Sequence, residues 1–105
     1  MSLLNRSQLK YSYHWWPIPD SDPRVSGVFD TTLLNRNEGH EVLYFINKFA
    51  EIHSLTNIED ALRIEERIKT EIPNIYRSQI HAYEWLEKNL DKVILKQSTE
   101  KLVFY

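Results

Sequence analysis

Four histidines (His14, His40, His53 and His81) and fifteen carboxylates are the groups in this chain able to ligate a metal or move a proton. No two of the histidines stand three or four apart, so none pairs on a helix face as zinc ligands do. The densest cluster is Glu38-Gly39-His40-Glu41. There the two glutamates bracket an expected helix start and His40 points elsewhere. Glu59-Asp60 and Glu65-Glu66 are adjacent pairs that diverge around a helix, the pattern of a solvated face rather than of converging acid–base groups. The chain has no Gly-x-Ser-x-Gly elbow and no His-Glu-x-x-His motif, and Gly27 and Gly39 alone cannot build a glycine-rich phosphate loop. Without cysteine there is no thiolate ligand, disulfide or thiol nucleophile. The expected protein is therefore non-enzymatic, with no catalytic residue, metal or cofactor assigned.

Binding chemistry is better represented. Tyr11, Tyr13, Trp15 and Trp16 crowd around His14, followed by Pro17, Pro19 and Pro23. The prolines forbid a helix and favour an extended path with turns. Leu9, Tyr11, Tyr13 and Trp15 alternate with Lys10, Ser12 and His14, so residues 7–15 read as a short strand. This ring-rich arm is expected first to cover apolar helix faces. Its second expected role is a protein interface, since Trp and Tyr dominate binding hot spots. In that role Tyr13, Trp15 and Trp16 are the anchors, with Arg24 and Arg36 as polar contacts. Stacking on bases is a lesser expectation, because only Lys10 and Arg24 accompany the rings.

Three amphipathic helices must position these groups. The first is expected from Asn35 or Asn37 as N-cap to about His53 or Ser54, with Val42, Phe45, Ile46 and Phe49 as its apolar stripe. Glu38 and Glu41 suit its dipole. Thr56-x-x-Glu59 has capping-box form and predicts the second helix, with Leu55 as a staple. Ile58, Ala61, Leu62, Ile64, Ile68 and Ile72 give it an apolar face; Glu65, Glu66, Arg67 and Lys69 are expected on the other side, and Pro73 stops it. The third is expected from about Asn74 to at least Leu90. Residues 1–36 thus form an arm and residues 37–105 a helical domain, in one folding unit. Mainly α is the expected class, with a short C-terminal strand as an option. The alternative is α+β, with a small sheet from residues 9–16 and 93–105.

Residues 49–67 resemble a DNA-binding helix-turn-helix, with small Ala50 ahead of the turn and apolar Leu55 within it. That resemblance implies duplex contacts from Thr56, Asn57, Arg63 and Arg67. Glu59 and Asp60 would then face phosphates, which makes this the alternative to a protein-binding module. Charge agrees. Residues 38–72 carry four basic and eight acidic groups, and the chain totals −2 with no basic stripe. No apolar run approaches the ~20 residues that span a bilayer, so no membrane contact is expected. Cysteine-free composition suits the cytoplasm. The apolar ending Leu102-Val103-Phe104-Tyr105 raises a homodimer as a hypothesis.

Overall fold

The fold is mainly α. A computed structural model describes residues 3–89, so the expected C-terminal strand, the 93–105 half of the alternative sheet and the apolar terminus lie outside the described residues. Three helices follow an irregular N-terminal third: α1 Gly39–Ile52, α2 Ile58–Thr70 and α3 Gln79–Lys88. Consecutive helices pack together, α1 on α2 and α2 on α3.

Helix α1 is the centre of the core. Val42, Phe45, Ile46 and Phe49 recur at helical spacing and are all fully buried. Ala61, Ile64 and Ile68 of α2 and Ala82 and Leu86 of α3 close on them. Truncating Phe45 or Phe49 to alanine costs roughly 3–5 kcal/mol on the scale of buried aromatics. Phe29 extends this core from the N-terminal third, stacked on Phe45 with ring centres 4.6 Å apart. Its neighbour Val28 faces water at 75% exposure.

The helix starts differ from those the sequence predicts, and each difference has a local cause. The N-cap of α1 is Glu38, whose carboxylate accepts the Glu41 N–H. The cap of α2 is Asn57, whose Oδ1 accepts the Glu59 N–H, so Thr56 closes no capping box. Helix α3 begins at Gln79 behind a Ser78 cap, well after Asn74. Residues 73–77 are held out of the helix because their carbonyls are used elsewhere. Arg77 C=O accepts the Leu34 N–H at 2.9 Å, and Pro73 and Tyr76 carbonyls accept from Arg36.

Helix α1 ends in a Schellman motif. Ser54 adopts φ +56°, Ser54 N–H returns to Glu51 C=O, and Leu55 N–H returns to Ala50 C=O at 2.8 Å. Leu55 is buried as this motif's apolar contact.

Residues 7–15 are not a ladder strand. A 3-10 turn at Arg6–Gln8 leads into an extended segment that makes one isolated parallel bridge, His14 to Glu38. The side-chain alternation survives: Leu9, Tyr13 and Trp15 face inward, and Lys10, Ser12 and His14 face water. Tyr11 departs from it by standing exposed. The backbone donors of this segment find carboxylates instead of a neighbouring strand.

Candidate functional site

Three glutamates that the residue pattern assigns to helix dipoles or a solvated face are buried: Glu38, Glu41 and Glu65. Burying a carboxylate is costly unless donors surround it. Glu65 of α2 receives the Lys10 N–H on both oxygens at 3.0 and 3.1 Å, the Tyr11 N–H at 3.1 Å and the Tyr13 hydroxyl at 2.7 Å. Glu38 receives the Trp16 N–H at 3.0 Å and the Glu41 N–H at 3.0 Å, and meets His40 Nδ1 at 3.1 Å. Glu41 receives the Asn35 N–H at 3.0 Å and lies 3.9 Å from the Arg24 guanidinium. The carboxylates thus stand where a sheet edge would, and fasten the extended chain to the helices through charge-assisted hydrogen bonds.

This fastening sets the aromatic residues in place. Tyr13 is half-buried; burial and the adjacent Glu65 carboxylate push its phenol far above the ordinary range, so it stays protonated as a donor. Trp15 meets Tyr13 edge-on at 6.2 Å and His40 edge-on at 5.1 Å, with the Arg6 guanidinium 4.0 Å above its ring. Its indole also fills the space beside Gly39, where an added Cβ would lie 2.4 Å from the ring. Trp16 turns outward at 50% exposure and stacks on His14 at 5.7 Å and 12°. A groove of about 700 Å³ runs beside the ridge, lined by Arg6, Leu9, Tyr11, Ser12, Tyr13 and Trp15 among others.

Arg24 and Arg36 sit apart from that ridge. Arg36 donates to the Ile72 carbonyl at 2.7 Å, Pro73 at 3.1 Å and Tyr76 at 2.7 Å, with Ile68 at the limit of 3.5 Å. It therefore caps the end of α2 and organises the turn that follows. Burial lowers its pKa. Arg24 grips Asp22 through Nε at 2.9 Å and Nη2 at 2.7 Å, holding the Asp22 carboxyl down at about 2. Lys69 links the two regions. Its ammonium lies 4.7 Å over the Tyr13 ring and donates to the Arg36 carbonyl at 2.7 Å.

The duplex-binding candidates are engaged differently. Asn57 spends its side chain as a cap, Arg63 pairs with Asp60 at 3.2 Å, and Arg67 pairs with Glu71. Thr56 is exposed. Glu59 and Asp60 occupy the first turn of the same helix.

The histidines do not converge. His40 joins Glu38 and Trp15, His53 meets the Tyr83 hydroxyl at 3.2 Å, and His81 lies exposed on α3. Tyr83 also donates to Glu87 at 3.0 Å. Among the described residues no three of His, Asp and Glu gather as a metal site requires, and no helix is long and apolar enough to cross a membrane.

The pattern did hold a signal for the buried glutamates. Ala61, Glu65, Ile68 and Ile72 lie on one helical stripe, and Glu38, Val42, Phe45 and Phe49 on another. A carboxylate inside an apolar stripe announces a partner. No family model, curated protein or solved structure matches this chain.

Proposed function

We propose that this protein is a small non-enzymatic binding module whose aromatic ridge, residues 11–16, docks a protein partner. The observation that carries the reading is the treatment of Trp16. Its backbone N–H is clamped by a fully buried carboxylate while its indole stands half in water. Neighbouring Tyr13 and Trp15 are fixed by Glu65 and Gly39. A large ring held rigid before binding loses little conformational freedom on docking, which is how aromatic anchors gain affinity. Arg24 and Arg36 stay in this reading as polar contacts set apart from the ridge, with Lys69 lying between the Tyr13 ring and the Arg36 carbonyl. The reading includes a cytoplasmic location and a homodimer as one assembly to test.

The experiment is affinity capture on the immobilised full chain, comparing wild type, Trp16→Ala and the control Glu51→Ala. The expected result is a partner whose affinity falls on the order of tenfold or more with Trp16→Ala and is unchanged in the control. Equal capture by all three removes the ridge from the function. Salt-dependent binding to duplex DNA, weakened by Arg63→Ala or Arg67→Ala, would transfer the function to residues 49–67.

A further inference from the structure

We propose that the cleft between residues 22–36 and the α2–α3 connection binds a carboxylate group carried on an acidic segment of a partner protein. The cleft holds about 540 Å³ and is lined by three arginines from separate stretches of chain: Arg24, Arg36 and Arg77. Each has a different share of neutralisation. The donors of Arg36 go to neutral carbonyls, so its charge meets no carboxylate among the described residues. Arg77 is exposed and, among the described residues, has no ion-pair partner. Arg24 faces both Asp22 and Glu41. Buried Glu38 adds a third acid to the field at Arg24, so the positive charge open to a ligand is that of Arg36 and Arg77.

The walls are preformed. The Leu34 N–H holds the Arg77 carbonyl at 2.9 Å, the Gln79 N–H holds the Thr32 carbonyl at 2.8 Å, and Leu33 bridges to Ser78. These bonds fix the backbone on both sides of Arg77, which lines the cleft. The lining also has an exposed apolar side chain, Leu33, at 65% exposure. An acid flanked by an aliphatic side chain matches both features.

Phosphate would also suit an arginine fork, but buried Glu41 lines the cleft. Its charge repels a dianion more than a monoanion, which favours carboxylate. The proposal rests on the protein-binding reading only for what carries the carboxylate.

The test is an amide NMR titration of the full 15N-labelled chain at low salt with acetyl-Leu-Asp-Leu-amide, its Asn counterpart and inorganic phosphate. The expected result is saturable shifts at Leu33, Leu34, Arg36 and Arg77 with the Asp peptide and none with the Asn peptide. Arg77→Ala should weaken binding about tenfold, and Arg77→Lys less, because it keeps the charge without the fork. Trp16→Ala should leave this titration unchanged, so failure of the ridge and failure of the cleft are read separately. Equal shifts with both peptides, shifts confined to other residues, no saturation at low salt, or tighter binding of phosphate would each overturn the proposal.

Discussion

The indole of Trp15 occupies the volume that any side chain at position 39 would need, with three ring atoms within 2.5 Å of where a Cβ would stand. Gly39 is therefore chosen for space, at the first residue of α1, where alanine would ordinarily favour the helix.

Gly39→Ala should consequently invert the usual rule. In place of a gain, urea unfolding should show a loss of about 1–3 kcal/mol, the range for overpacked sites. In a chain carrying Phe at positions 16 and 85, the remaining Trp15 emission should shift to the red as the ring is expelled. Unchanged stability and emission would mean that the ring does not rest on this helix.

Glu65→Ala should be more damaging than its place on a charged helix suggests. It strips acceptors from the Lys10 and Tyr11 amides and the Tyr13 hydroxyl. Leaving such donors unsatisfied costs about 1–3 kcal/mol each where they stay buried, and water entering the gap reduces the sum. A total loss of about 3 kcal/mol is expected. Hydrogen exchange at Lys10 and Tyr11 should rise before exchange in the α1 core, and Glu65→Gln should fall between.

Tyr13 makes stability fall at alkaline pH. Its folded pKa is raised above the ordinary phenol value of 10.0, so above pH 10 the unfolded chain releases a proton that the folded chain keeps. The folded state then binds more protons, and its stability declines with rising pH at up to about 1.4 kcal/mol per unit from this group. The contribution is complete below pH 10 and is lost as pH climbs toward the folded value. In Tyr13→Phe the alkaline fall in melting temperature should be shallower than in wild type. Parallel profiles for the two chains would rule out this origin.

Ser54 carries a left-handed conformation in the motif that ends α1. Glycine adopts it without the Cβ contact that costs other residues roughly 1–2 kcal/mol. Ser54→Gly should therefore raise stability by about 1 kcal/mol after the added entropy of the unfolded chain is subtracted. Ser54→Val should lower it, and thermal melts of the two variants should separate in opposite directions.

The helical core was legible because periodicity is a local property. Val42, Phe45, Ile46 and Phe49 announce their face without knowing what covers it. Helix ends were less legible because competing acceptors decide them. Asn74 is a good cap by residue type, yet α3 waits for Ser78 because Arg36, forty positions before Tyr76, claims the intervening carbonyls. Glu65 was legible only in part, since its place on the stripe of Ala61, Ile68 and Ile72 announces a partner without saying which. Its neighbours Glu66 and Arg67 read as a wet surface, and only backbone N–H groups at residues 10 and 11 explain a carboxylate inside. Of the proposed anchors, Tyr13 and Trp15 came together with Arg6 and His40, partners that no spacing connects. Arg77 carried no signal, since its place at the cleft depends on the delayed start of α3.

The carboxylate fastening of the N-terminal segment grips main-chain amides at Lys10, Tyr11 and Trp16. Such a grip is blind to side-chain identity. Apart from proline, which has no N–H to offer, substitutions at positions 10 and 16 can alter what is displayed without unfastening the display. Specificity can then drift, or be engineered by randomising these outward positions, while the buried glutamates hold the same backbone path for every variant.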